Sequence, residues 1–229
     1  MTAVYWLEQT ESDVAVEDDW LDGAEAQRLG ELRFAKRRAD WRLGRWTAKR
    51  AVAGFLKLPR ERHTLAAIEI RAAASGAPEV FLPTGTGPSV SLSHSAGRAL
   101  CVVTSDAPAI GCDLEKIEPR SDAFVDDYFT AAERAVIPPS FGAQRDLTVA
   151  LLWSAKESVL KVLHEGLRLD TRSVTVIPFG AISESVDWQP FEARSADGQT
   201  FHGWWRSANG FVRTSIASPP SDRPVELES

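Results

Sequence analysis

The chain is poor in the residues that hold soft metals or crosslinks. Its 229 residues include only two cysteines, four histidines and one methionine. Cys101 and Cys112 each sit in an apolar, strand-like run, so they are expected as reduced core thiols rather than as a disulfide framework. No spacing of Cys and His suits zinc. No apolar run approaches the ~20 residues needed to span a bilayer, so no membrane-crossing helix is predicted. The start Met1-Thr2-Ala3-Val4-Tyr5 has no signal-peptide character, and a cytoplasmic location is expected.

Net charge also excludes a class. The chain carries −6 with a pI near 5.3, which argues against nucleic acid as a partner. Hydrophobic residues make up 44% and charged residues 25%, enough to bury one large core or two small ones. Eight tryptophans lie mostly in amphipathic or strand-like settings, where core packing is their expected role. The positive charge is concentrated. From Arg28 to Arg62 twelve basic residues face three acids, Glu31, Asp40 and Glu61. Within that stretch Arg38, Arg42, Arg45 and Lys49 form one helical ridge beside an apolar stripe of Trp41, Ala48, Val52 and Phe55. A solvated helix face is one reading of the ridge. The other is a surface facing phosphates and acidic protein partners.

Two short segments carry chemistry. In Ile110-Gly111-Cys112-Asp113-Leu114-Glu115, apolar residues alternate with Gly, Asp and Glu, which predicts a strand bearing both acids on one face. Carboxylates two apart on a strand repel unless a cation or proton lies between them. The alternative is a half-buried strand with a solvated acidic face. About forty residues later comes Trp153-Ser154-Ala155-Lys156-Glu157-Ser158-Val159-Leu160-Lys161. No Gly or Pro interrupts Leu147–His164, and Leu147, Leu151, Ala155, Val159 and Val162 share a stripe, so this is helix. Glu157 and Lys161 lie on the far side beside Trp153 and Leu160, in a partly enclosed groove; an ordinary i, i+4 surface pair is the alternative. Hard cations such as Mg²⁺ take a few carboxylates plus substrate phosphates. Asp113, Glu115 and Glu157 supply such a set, and Lys156 and Lys161 balance the phosphate charge left over.

A third segment, Ser89-Val90-Ser91-Leu92-Ser93-His94-Ser95, ends a strand on hydroxyls and an imidazole that can donate to phosphate oxygens. The Ser-His-Ser run, Gly-x-Asp-x-Glu and Trp-Ser-x-Lys-Glu-Ser-x-x-Lys, in this order and spacing, resemble the 4′-phosphopantetheinyl transferase superfamily. The resemblance runs from about Phe34 to about Val176, and the length is similar to its long, monomeric, surfactin-synthetase-activator type.

The resemblance implies an enzyme that moves the phosphopantetheine arm of coenzyme A onto a serine of an acidic apo carrier protein, releasing adenosine 3′,5′-bisphosphate. It implies Mg²⁺ on Asp113, Glu115 and Glu157. Coenzyme A contacts are implied for Ser93, His94, Lys156 and Lys161. Glu133 matches a proposed general base, although Thr130-Ala131-Ala132-Glu133 is also a capping-box signature. The catalytic set expected from the resemblance is therefore Asp113, Glu133, Glu157 and Lys161. One departure stands out: the family's loop often reads Gly-Lys-Pro, and here Gly76-Ala77-Pro78 takes its place. Either nearby basic residues such as Lys36, Arg37 and Arg45 supply the missing charge, or coenzyme A binds more weakly. A non-catalytic carrier-binding homologue and another Mg²⁺-dependent pyrophosphate enzyme are the rival readings.

The expected fold is α+β, two similar subdomains in one chain in the pseudo-dimeric manner of that family. Residues 1–106 form the first and 107–217 the second, joined near Ser105–Pro108, with a disordered tail over 218–229. Strands are predicted near Val4–Glu8, Ala66–Ala72, Val90–Ser93, Ala99–Thr104, Ile110–Leu114, Val174–Ile177, Trp188–Ser195, Gln199–Trp205 and Val212–Ala217. Helices are predicted near Gly23–Lys36, Ala39–Leu56, Asp122–Tyr128, Ala131–Val136 and Gln144–His164. Periodicity shows no strong internal repeat.

Overall fold

The computed structural model describes residues 2–107, 109–164, 169–180 and 182–228. Pro108 of the expected joint and Ser229 of the expected tail lie outside the described residues. A first strand, β1 (Tyr5–Thr10), leads into α1 (Gly23–Glu31), the long α2 (Ala35–Phe55) and the short α3 (Arg62–Ala66). Then come β2 (Glu69–Ala72), β3 (Pro78–Leu82), β4 (Gly85–Thr86), β5 (Ser89–Ser95) and β6 (Arg98–Thr104). The second half opens with β7 (Ala109–Lys116) and continues through α4 (Asp122–Tyr128), α5 (Ala131–Val136) and the long α6 (Ala143–Val162). It closes with β8 (Val174–Pro178), β9 (Gln189–Ser195), β10 (Thr200–Ala208), β11 (Phe211–Ser218) and β12 (Val225–Glu226). The protein is thus a mixed α+β molecule. Among the described residues no helix is long and apolar enough to cross a membrane.

The strands form sheets of order β12-β1-β6-β5, β7-β11-β10-β9-β8 and β2-β3-β4. Two turns fix the central registers. Ala96-Gly97 joins β5 to β6 and Asn209-Gly210 joins β10 to β11, all four residues at positive φ, as a tight two-residue hairpin requires. The sheets meet edge to edge where β5 lies along β7: the Cys112 amide donates to Ser91 Oγ at 3.0 Å. A buried seam of Val4, Trp6, Leu100, Val102, Ile110, Leu114 and Trp188 fills the space behind that meeting. Glu8 on β1 ties the halves together from the other side, accepting from Arg98 of β6 at 2.8 Å and from Arg213 of β11. Both cysteines are free and buried.

Three expectations change. The run 66–72 is not one strand: α3 ends at Ala66 and only Glu69–Ala72 is extended. Its apolar residues do not distinguish a helix end from a strand start over so few positions. The hairpin of β3 and β4 was not predicted, because Gly76, Pro78, Pro83, Gly85, Gly87 and Pro88 read as loop. Pro78 is tolerated since it opens its strand. The tail over 218–229 is not disordered among its described residues. β12 adds in parallel to the open edge of β1, with the Val225 amide donating to Val4 O at 2.9 Å and the Leu227 amide to Trp6 O at 2.8 Å. Leu227 packs on the core under α2. Composition cannot see an unpaired strand edge elsewhere in the chain, and that edge is what orders the tail.

Candidate active site

Gly111 permits the site. A Cβ at that position would stand 2.0 Å from the Ser158 carbonyl oxygen and 3.0 Å from Val162 Cγ2. Its absence lets α6 lie against β7 closely enough for Glu157 and Lys161 to reach the acidic face of the strand. The Lys161 ammonium donates to the Cys112 carbonyl at 2.7 Å and to Asp113 Oδ1 at 2.9 Å. Ser93 Oγ, from β5 across the seam, donates to the same Asp113 oxygen at 2.7 Å. One carboxylate therefore gathers a helix and both sheets.

Asp113 Oδ2 and Glu157 Oε1 are both buried and have no hydrogen-bond partner among the described residues. Buried carboxylate oxygens are normally satisfied, and two orphans on facing elements are the donor type a hard cation takes. Glu115 is turned away. Its carboxylate accepts from Trp153 Nε1 at 3.1 Å and lies 3.6 Å from Arg120. Among the described residues no three His, Cys, Asp or Glu side chains stand close enough to form a ready ligand group. The expected convergence of three acids is thus not assembled in this conformation: Asp113 is closed on Lys161 and Ser93, and Glu115 on Trp153 and Arg120. The acids still feel one another. Burial and then the Asp113 charge push Glu115 up to about 7 from an ordinary 4.5. Burial and Asp113, opposed by Lys161, raise Glu157 as well. Burial works to lower Lys161, but Asp113, Cys112 and Glu157 outweigh it and hold the ammonium above the usual lysine value.

The Glu115 shift has a measurable sign. A carboxyl raised in the folded state favours folding most where it is protonated, and that contribution is lost as pH climbs from about 4.5 through about 7. Glutamine mimics the protonated form and has nothing to lose. In magnesium-free buffer Glu115→Gln is expected to gain on the wild type in melting temperature as pH rises over that window. Melts of both proteins across the range check it, and a gap independent of pH contradicts the assigned environment.

Lys161, which pairs with Asp113, lines a cavity of 910 Å³ whose walls come from both halves. Ser89–Leu92 of β5 and Ile110 of β7 line it, as do the loop Gly76-Ala77-Pro78 and Phe81 of the unpredicted hairpin. Gly76, at φ +90°, is shared with a second cavity of 930 Å³, whose walls include Arg28, Arg37, Arg45, Arg71 and Trp41. Arg37 and Arg45 were expected there, whereas Arg28 and Arg71 were not singled out. Arg71 lies on the strand before the loop, and basic side chains beside Ala77 were the signal that could have found it. His94 is exposed at the end of β5. Its imidazole is held below the ordinary histidine value by partial enclosure and by Lys161, Lys36 and Arg37, with Asp40 opposing. Lys36 extends into solvent, paired with Asp40 at 3.0 Å.

Other expected residues lie elsewhere. The Lys156 side chain is fully buried and pairs with Glu133 at 2.8 Å, while donating to Thr171 O at 2.9 Å and to Val174 O. It has no exposed surface to offer a pyrophosphate. Glu133 is 1% exposed and spent on internal partners, so it is not placed to take a proton from an incoming serine. The basic ridge of α2 is also folded inward. Arg42 pairs with Asp18 at 2.8 Å, Arg38 donates to Leu29 O at 3.3 Å, and Lys49 is buried against Glu25. Charge counted along one helix omits the acids that the preceding segment lays over it.

The fold defines a mixed α+β protein with the Lys161 ammonium on one cavity and several guanidinium groups on another, the two sharing Gly76. Residues 109–209 match the sequence model of the 4′-phosphopantetheinyl transferase superfamily. No curated protein matches the chain significantly. The matched segment holds β7 and α6, hence Asp113, Glu115, Glu157 and Lys161. Ser93, the Gly76 loop and the arginine-lined cavity precede it.

Proposed function

We propose that the protein transfers the 4′-phosphopantetheine group of coenzyme A to a serine of an apo carrier protein, with Mg²⁺, acting as a monomer in the cytoplasm. The observation that supports this most is the grouping of Asp113, Glu157, Lys161 and Ser93, with Lys161 on the wall of a cavity large enough for an extended nucleotide thiol. Asp113 and Glu157, each with an orphan oxygen, would hold the cation, and Glu115 would join by leaving Trp153. When bound, Mg²⁺ supplies neutralisation of the pyrophosphate charge. Lys161 keeps its proton and faces the same oxygens. Ser93 orients Asp113, and the strand-end His94 donates to phosphate. The arginines around Gly76, Arg37 and Arg45 among them, offer guanidinium charge where Ala77 replaces a lysine, so the nucleotide end lies toward that second cavity. The carrier serine oxygen then attacks the β-phosphorus, the bond to the α-phosphate oxygen breaks, and adenosine 3′,5′-bisphosphate leaves. Positioning and charge neutralisation provide the rate.

The test is incubation with fluorescent coenzyme A and a panel of acidic apo carriers, in magnesium and in EDTA. Label on a carrier in magnesium alone is expected. Nucleotide release without any carrier supports a pyrophosphate hydrolase instead, and binding of coenzyme A with no transfer to any carrier supports a non-catalytic homologue.

A further inference from the structure

The two long helices share a seven-residue motif that is identical at Trp, Ala, Lys and Val. Trp46-Thr47-Ala48-Lys49-Arg50-Ala51-Val52 in α2 answers Trp153-Ser154-Ala155-Lys156-Glu157-Ser158-Val159 in α6, a repeat too short to register as a period along the whole chain. Each half opens on a strand, reaches its long helix through α1 or through α4 and α5, and ends in strands that return to the first, with α3 added after the long helix in the first half. The second sheet runs β7-β11-β10-β9-β8, and β1-β6-β5 repeats its first three positions.

The repeated lysine does the same thing twice. In the first half Glu25 caps its own helix: the Asp22 amide donates to Glu25 at 3.2 Å and the Glu25 amide to Asp22 at 2.9 Å. Glu25 pairs with Lys49 at 2.5 Å and accepts from the Ile70 amide of β2 at 3.3 Å, while Lys49 donates to Trp20 O at 3.1 Å. In the second half Glu133 closes a capping box with Thr130 and pairs with Lys156 at 2.8 Å. It accepts from the Val176 amide of β8 at 2.8 Å. Cap, glutamate, helix lysine and the first strand after the helix correspond one to one, and both ammonium groups are fully buried.

What the repeat does not share is equally specific. Arg50 stands where Glu157 stands, and Gly54 where Lys161 stands. Counted from the turns at Gly97 and Gly210, Leu7 opposite Cys101 holds the place of Asp113 opposite Thr214, and Gln9 that of Glu115. The first half thus keeps the Glu–Lys pair without any of the acids.

We infer that Glu133–Lys156 is one copy of a duplicated latch that fastens the long helix to its cap and its following strand, and that neither residue takes part in the chemistry. This rests on the transferase reading only for its activity measurements. The full-length protein is compared with Glu133→Gln, Lys156→Met and the double variant, and with Glu25→Gln, Lys49→Met and theirs. Breaking a buried pair strands one charge, whereas replacing both partners removes the conflict, so each single variant should lower Tm by about 6 °C or more and each double recover much of that loss. The same pattern is expected in both halves. The Glu133→Gln/Lys156→Met double should transfer label within about threefold of wild type with an unchanged pH profile, since no general base, ordinarily worth ~10²–10⁴, has been removed. Two results overturn the latch: additive losses of Tm with no recovery, or a Glu133→Gln protein of wild-type Tm whose turnover falls about 100-fold and stays down in the double. If even the wild type labels no carrier, the transferase reading fails, and the melting pattern still decides the latch.

Discussion

Asp113→Asn is expected to lower carrier labelling by about 10³-fold while the melting temperature stays within a few degrees of wild type. The asymmetry follows from what each oxygen does. Asparagine keeps an acceptor for the Ser93 hydroxyl, and Lys161 retains the Cys112 carbonyl at 2.7 Å with Glu157 nearby, so little structure is lost. The buried Oδ2, which no described residue satisfies, becomes or exchanges with an amide that cannot bind a cation. Labelling rates and thermal melts, run side by side in magnesium, read both quantities. Transfer at the wild-type rate would sink the cation assignment, because Asp113 Oδ2 is one of the two orphan oxygens on which it rests.

Gly111→Ala should cost about 3 kcal/mol or more, a fall in Tm of roughly 6 °C or more, and should slow transfer in the protein that remains folded. The added methyl meets the Ser158 backbone carbonyl at 2.0 Å, and a backbone atom cannot swing aside as a side-chain end can. Either α6 retreats from β7 or the strand buckles. Both movements part Lys161 and Glu157 from Asp113, so stability and activity fall together. A stable Gly111→Ala protein with normal labelling would mean that the close approach of helix and strand does not set the site. The contrast with Asp113→Asn is diagnostic: one change removes a ligand from an intact frame, the other moves the frame.

Periodicity located the elements that carry most of the site. The strand at Ile110–Leu114 became β7, and the helix at Gln144–His164 became α6, which begins one residue earlier and ends two earlier. Their acids were readable because alternation and helical spacing decide which side chains share a face. The hairpin that walls the cavity was illegible, since Pro and Gly around short apolar runs look like loop. The fate of Lys156 was illegible for another reason. It adjoins Glu157 in the chain, yet 100° of helix rotation turns it from the cleft into the core, where Glu133 meets it.

By itself the sequence determined where most helices and strands form, which faces are apolar, and that Asp113 shares a strand face with Glu115 and Glu157 a helix face with Lys161. Those are local matters, settled by spacing within one element. Only the tertiary structure decided which lysine faces the cleft, which basic residues are already neutralised by Asp18 and Glu25, and that the last residues complete a sheet edge. Each of these depends on groups distant in the chain, and burial and charge pairing act through space rather than along it.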